Sequence, residues 1–251
     1  MSPDRRRTKG PRHYSIGKKG ENMTILTLAA LLPPLYLMMQ IYRADRVEQE
    51  PVRLIIKTIL FGVISVFPTM FVESLLIRTL GSALPEGSVI YRLAENFIGV
   101  AMVEEFFKMM AVRLSVWRRE EFDYTFDGVV YGVSAAIGFA AFENLLYVYD
   151  GGLVTAGFRA ITAIPGHTIF GIFMGMHLGI AKYKQVRGDS QAASYHKLMA
   201  WLIPTLLHGF YDFICSSNSY MGMIIFILFL VFLYTFSIKR VRLFQQGDRE
   251  I

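Results

Sequence analysis

With one cysteine, Cys215, among 251 residues, the chain cannot close an internal disulfide, so oxidation contributes nothing to its fold. It has no H-E-x-x-H pair at metal-ligand spacing and no glycine-rich phosphate loop of the Walker kind. Two common short signatures, of zinc hydrolases and of nucleotide-driven enzymes, are therefore missing. Internal repeats of the kind usual in secondary transporters are absent, as are low-complexity tracts. The first apolar stretch lacks a small-residue cleavage site, so no removable signal peptide is expected. Charge is scarce: 18% of residues are charged, against about 25% in soluble domains.

What is abundant is apolar length. Hydrophobic residues make up 53% of the chain. Seven apolar stretches, at 24–42, 54–76, 90–114, 128–149, 160–182, 197–215 and 220–238, have about the length a helix needs to cross a bilayer. Short connections join them and leave no room for a soluble domain. The expected fold is all-α: a polytopic membrane helical bundle of about seven transmembrane helices, forming one domain over 23–251. Residues 1–22 stand apart as a basic tail, with seven Lys or Arg against Asp4 and Glu21, which is +5 of the net +6. Two readings of the tail compete. One is a disordered arm on acidic lipid headgroups. The other is an untranslated segment, because Lys18-Lys19-Gly20-Glu21-Asn22 can be encoded by a purine-rich run resembling a bacterial ribosome-binding site, with Met23 then the start. The remainder is close to neutral, so no nucleic-acid partner is expected.

The loops set an orientation. Arg43, Arg46 and Arg53 follow the first stretch; Arg113, Arg118 and Arg119 the third; Lys182, Lys184, Arg187 and Lys197 the fifth; Lys239, Arg240, Arg242 and Arg249 end the chain. The alternate connections hold only Arg78 (with Arg92 beyond it) and Arg159. The positive-inside rule makes the basic connections and the C-terminus cytoplasmic. The N-terminus then lies outside, unless Pro33-Pro34 break the first stretch.

Against this apolar background, Glu104, Glu105 and Lys108 sit in the middle of a stretch whose natural solvent is lipid. Each ionisable group at a bilayer centre costs roughly 2.5–3.5 kcal/mol, so such groups persist where they face a protected interior and act there. Glu143 and Asn144 lie on the fourth stretch, His167 and His177 on the fifth, His208 and Asp212 on the sixth. At about 1.5 Å per residue, Glu143, Asn144, His167, His208 and Asp212 reach a common level nearer the external face, with the glutamate pair closer to the midplane. A tilt or break in the third helix closes that gap. Glu104–Lys108 and His208–Asp212 are i,i+4 pairs that share a helix face. Gly128, Gly132, Ala136 and Ala140 form one small-residue stripe and His167, Gly171, Gly175 and Gly179 another, natural packing partners in a membrane. Pro165 marks a helix start that puts His167 near its N-terminus. His177 and His196 read as interhelical hydrogen-bonding groups, Lys57 as a snorkelling lysine, Arg159 and Asp150 as ordinary loop charges.

Two glutamates, two histidines and an aspartate suit the activation of water. Imidazole N–H groups can steady the oxyanion of a tetrahedral intermediate. Ser134 and Thr168 have no evident base, and Cys215 looks incidental. Amide hydrolysis by an activated water, without a metal, fits this inventory best. The alternatives are a zinc peptidase using His167, His208 and a glutamate, and a non-catalytic scaffold or proton-coupled transporter.

The chain resembles the PrsW family of multi-pass membrane proteases. The matching motifs are Glu-Glu-Phe-Phe-Lys at 104–108, Phe-Asp-Gly-Val-Val-Tyr-Gly at 126–132 and Gly-Phe-Ala-Ala-Phe-Glu-Asn-Leu-Leu-Tyr at 138–147. Gly-His at 166–167, His-Gly-Phe-Tyr-Asp at 208–212 and Glu-Pro-Val at 50–52 complete them. Such families look like relatives of the CAAX prenyl proteases and of a scaffold subunit of gamma-secretase, a group viewed as glutamic intramembrane proteases and earlier taken for metallopeptidases. The resemblance implies Glu104 as general base, His167 helping to hold the water, Glu105 orienting Glu104, and His208 and Asp212 facing the substrate carbonyl. Lys108, Glu143 and Asn144 would support them. It also implies a bacterial cytoplasmic-membrane enzyme in regulated intramembrane proteolysis, making the first cut in a single-pass anti-sigma factor during a stress response. Two departures from the CAAX pattern stand out. Lys108 follows the second glutamate by three places where that pattern has a basic residue, usually Arg, at four. Asp212 ends the final motif where Asn is common. Glu143-Asn144 has no counterpart there and reads as a substrate-binding or structural element.

Overall fold

A computed structural model describes residues 22–45, 47–217 and 219–251. The basic tail before Asn22, with the two readings of it, lies outside the described residues. Eight α-helices follow one another among the described residues: α1 (Met23–Ala44), α2 (Val52–Ala83), α3 (Val89–Ala94), α4 (Met102–Ser115), α5 (Asp127–Ile161), α6 (Ala163–Val186), α7 (Ser190–Cys215) and α8 (Tyr220–Gln246). A π-helical segment, Glu95–Ala101, joins α3 to α4. Side-chain caps start several of them. Asn22 accepts from the Thr24 N–H, Ser88 from Tyr91, Asp189 from Ala192 and Ser219 from Gly222, each meeting a donor that the helix leaves unpaired.

Five helical stretches are long and apolar enough to cross a membrane, and the all-α membrane bundle is as expected. The number seven is not established on this criterion, for two physical reasons. α5 and α6 run on as one stretch, Asp127–Val186. The segment 89–115 is interrupted by the π turn and carries Glu104, Glu105 and Lys108. Pro33 and Pro34 lie inside α1 without ending it, so the alternative in which they break the first stretch is not the one found.

α5 is the spine of the bundle. Between Asp127 and Ala140 every residue is buried. Gly128 and Gly132 face Gly171, Gly175 and Gly179 so closely that a Cβ on Gly175 would overlap the Gly128 carbonyl. The two small-residue stripes are thus packing partners, as their spacing implies. α5 bends at Gly152, whose φ of 74° lies in the left-handed region that glycine enters without strain. The last nine residues, Leu153–Ile161, turn back over the bundle. α1, α2 and α8 form its outer cover.

Candidate active site

Each helix places its polar residue for a local reason. The π segment stands one turn before the glutamates and interrupts the regular α-helical turns of the third stretch. It is pressed onto α7 where a Cβ on Gly209 would strike the Phe97 ring, and this holds His208 beside α4. Trp201 on α7 donates to the Met102 carbonyl at 2.9 Å, a second tie between these helices. The glycine seam of α5 and α6 sets Glu143 opposite His167.

Lys108 is the hub. Its fully buried Nζ lies 2.8 Å from Glu104 Oε2, 2.8 Å from Glu105 Oε1 and 3.0 Å from His167 Nδ1. An ammonium has three donors and no acceptor, so these contacts use its full capacity. His167 Nδ1 must then accept, which leaves Nε2–H to donate to Glu143 Oε2 at 3.0 Å. Nζ also sits 4.4 Å from the centre of the Phe139 ring. On the far side, His208 Nδ1 lies 2.9 Å from Glu105 Oε1 and Nε2 lies 3.2 Å from Asp212 Oδ2, so carboxylates face both ring nitrogens. The two histidine rings meet edge to face, 5.3 Å between centroids, and Phe170 stacks on His208 at 4.9 Å.

A cavity of about 460 Å³ opens onto this cluster. Glu104, Glu143, His167, His208 and Asp212 line it, with Arg159 and Tyr147. Glu105 and Lys108 stand behind, with no surface exposed. The spans therefore bring together Glu104, Glu105, Lys108, Glu143, His167, His208 and Asp212. Asn144 is turned away. Its amide donates to the Ala30 carbonyl of α1 at 2.8 Å, and Arg159 Nε reaches its oxygen at 2.8 Å. Asn144 is an anchor for α1 and stands outside the cavity wall.

Two residues carry more than the sequence reading gave them. Arg159 is no loop charge: it belongs to the segment beyond the Gly152 kink, reaches Glu143 Oε2 at 3.0 Å and sits 4.1 Å from the Tyr147 ring. Glu73, the only acid inside the second apolar stretch, was passed over. Its Oε1 is buried without a hydrogen-bond partner among the described residues. Ile77, one turn on from Glu73, packs at Gly99, and Thr58 meets Ser115 at 3.0 Å. That antiparallel register sets Glu73 level with the start of α4. Its solitude in an apolar run was the signal that could have found it. Ser134 and Thr168 bond only to their own helix and to Met38, so neither has a base beside it. His177 and His196 pair across α6 and α7, ring nitrogens 2.9 Å apart, as the sequence reading expects.

Ligand atoms of Glu104, His167 and His208 lie within 4.8 Å of one another, a donor set of the type zinc accepts. The positions are already in use, however. Lys108 holds Glu104 and His167 Nδ1, Glu143 holds His167 Nε2, and carboxylates face both nitrogens of His208. A dication among them would stand beside a fixed ammonium. In this arrangement the residues do not fit a metal.

Membrane-length helices that wall off carboxylates, an ammonium and two imidazoles around a cavity define a multi-pass membrane protein with an acid–base site. Residues 50–237 match the model of the PrsW family intramembrane metalloprotease. The protease PrsW of Geobacillus kaustophilus is 34% identical over 224 residues, spanning 88% of this chain and 92% of that protein. The protease PrsW of Bacillus subtilis is 32% identical over 221 residues, 88% of this chain and 95% of that protein. No solved structure matches the chain. The chain belongs to the PrsW family, and it is a membrane peptidase.

Proposed function

We propose that the chain hydrolyses a peptide bond of a single-pass membrane protein with a water activated by Glu104, without a metal. The observation that carries this is the placement of Glu104, His167 and His208 around one cavity, with the cation already supplied by Lys108. Glu104 is the member of the pair that lines the cavity, so it takes a proton from the attacking water. His167, held by Lys108 at Nδ1, positions that water by turning its Nε2–H to it from Glu143. The water oxygen bonds to the carbonyl carbon, and the carbonyl oxygen takes up charge at His208 Nε2–H, which turns to it from Asp212. The C–N bond then breaks, and Glu104 returns its proton to the leaving amine. Glu105 holds Lys108 and His208 in place, and Asp212 braces His208 from the other side.

The basic connections support a cytoplasmic α4–α5 loop and C-terminus, with the cavity toward the outer face of a bacterial membrane. The substrate class, a single-pass anti-sigma factor, rests on the family resemblance. The zinc reading draws on the donor set and on the family's description as a metalloprotease, and Lys108 opposes it.

Purified protein in liposomes, given a single-pass anti-sigma-factor reporter, should cut it in excess chelator. Glu104→Gln should lose cleavage by about 10²–10⁴-fold, the usual worth of a general base, at an unchanged thermal midpoint. Normal cutting by Glu104→Gln overturns the catalytic assignment, and chelator loss restored by Zn²⁺ establishes the rival.

A further inference from the structure

α8 is held loosely. Five of its 27 residues are buried, and two cavities lie along it. One, of about 710 Å³, lies between the end of α5, the end of α7 and the first half of α8, with Phe158, Met223 and Ile227 among its walls. The other, of about 730 Å³, lies between α1, α6 and the second half of α8, and Leu37, Ile172 and Ile238 line it. Ile161 lines both, at the point where the Tyr234 hydroxyl donates to its carbonyl. The first cavity also shares Phe158, Thr162 and Cys215 with the catalytic cavity. The two cavities thus meet at Ile161 to make an apolar trough along α8, and its first part shares a wall with Glu104's chamber. Tyr220–Gln246 is 27 residues long, about 40 Å at 1.5 Å per residue, enough to match a spanning helix.

We propose that this trough is the docking site for the substrate's membrane-spanning helix, which lies along α8 and passes its unwound end over Phe158 and Thr162 to the catalytic water. This deepens the peptidase reading above and rests on it. The occupant follows from the connection. A lipid chain could fill an apolar groove, but only a peptide has reason to sit in one whose wall is shared with a chamber of carboxylates and histidines. Gln40, Arg242 and Gln245 line the end remote from the site, polar groups suited to the point where a spanning helix leaves the apolar layer.

The test is cysteine cross-linking in an inactive Glu104→Gln, Cys215→Ser background. Single cysteines replace Ile227 or Ile238 on α8, or Leu60 on α2 as a control; their exposures are 53%, 55% and 54%. The probe is the anti-sigma-factor reporter with single cysteines along its span. Both α8 positions should cross-link it, at reporter positions about eleven residues apart, matching their separation on α8, and Leu60 should not. In the active protein, Ile227→Trp should raise KM at least tenfold with kcat unchanged. Cross-linking at Leu60 as strong as on α8, or none on α8, overturns the trough. So does labelling of α8 by a photoactivatable phosphatidylcholine that excess reporter fails to displace. Absent α8 cross-links with cleavage still dependent on Glu104 would sink the trough alone. Cross-links beside cleavage indifferent to Glu104 would sink the catalytic reading alone.

Discussion

Two buried polar clusters stand at the start and the middle of α5. Asp127 and Glu143 are 16 residues apart on that helix, about 24 Å at 1.5 Å per residue. Around Glu143 the bonds run from side chain to side chain between helices, and a cavity opens beside them. Around Asp127 the acids mostly bind backbone. Asp127 Oδ2 accepts from the N–H groups of Asp123 and Tyr124 at 2.9 and 2.6 Å. Asp248 Oδ1 accepts from Phe126 N–H and from the Thr125 hydroxyl, both at 2.8 Å. Glu50 takes the buried Tyr131 hydroxyl. Both clusters coincide with family motifs, yet one opens onto a cavity and the other fastens loops. A shared motif therefore does not distinguish a catalytic acid from a structural one; the partner of each carboxylate does.

The widest separation between the clusters comes from Lys108. Lys108→Met leaves Glu104 and Glu105 buried without their cation, a loss of about 3–5 kcal/mol. Thermal unfolding in detergent should show a sharply lowered midpoint, and reporter cleavage should vanish. Lys108→Arg keeps the charge but offers a planar five-donor fork to a tripod of three acceptors. It should retain more stability and still cut at least tenfold more slowly. A Lys108→Arg protein that cleaves at the wild-type rate would break the comparison, because the cluster would then need only charge.

Much of this contrast was legible in the chain. Glu104, Glu105, Lys108, His167, His208 and Asp212 declare themselves because ionisable groups are costly in apolar stretches, and two helical spacings paired them in advance. The glycine stripes gave the α5–α6 seam for the same reason of spacing. What spacing could not give was direction beyond a bend. Arg159 looked like a loop charge because the Gly152 kink, which returns it to Glu143, is a backbone event at a residue that tolerates many conformations. Asn144 looked like a partner of Glu143, but adjacent residues on a helix point about 100° apart, and it turned to α1 instead. Glu50 lies far in sequence from Asp127 and Tyr131, and only the fold joins it to them.

A middle-sized effect tests the fastening end. Burial pushes the Glu50 carboxyl up to about 7, and burial with Asp248 nearby pushes Asp45 up to about 6. The folded state therefore holds protons that the unfolded chain releases near 4.5 and 3.8. The stability this contributes is full below those ordinary values and is lost as pH rises through about 6 and then 7. The thermal midpoint should fall between pH 5 and 8, and Glu50→Gln should flatten that slope while leaving turnover per folded molecule unchanged. A change in kcat on Glu50→Gln would mean that the two clusters along α5 are coupled.

The smallest effect belongs to a third polar contact, which has neither cavity nor carboxylate. His177 and His196 stack between α6 and α7 with centroids 5.2 Å apart and share one hydrogen bond. His177→Phe keeps the stacked ring and removes that bond, which is worth about 0.5–1.5 kcal/mol. Its thermal midpoint should drop by only a few degrees, and cleavage should stay within about twofold of wild type on so small a change. This variant sharpens the rule drawn from the other two clusters. A buried imidazole matters to the reaction when its ring nitrogens face the carboxylates around Lys108, and His177 faces only another imidazole. Loss of cleavage in a folded His177→Phe protein would show that burial of polar groups between α6 and α7, wherever it occurs, is enough to control the site.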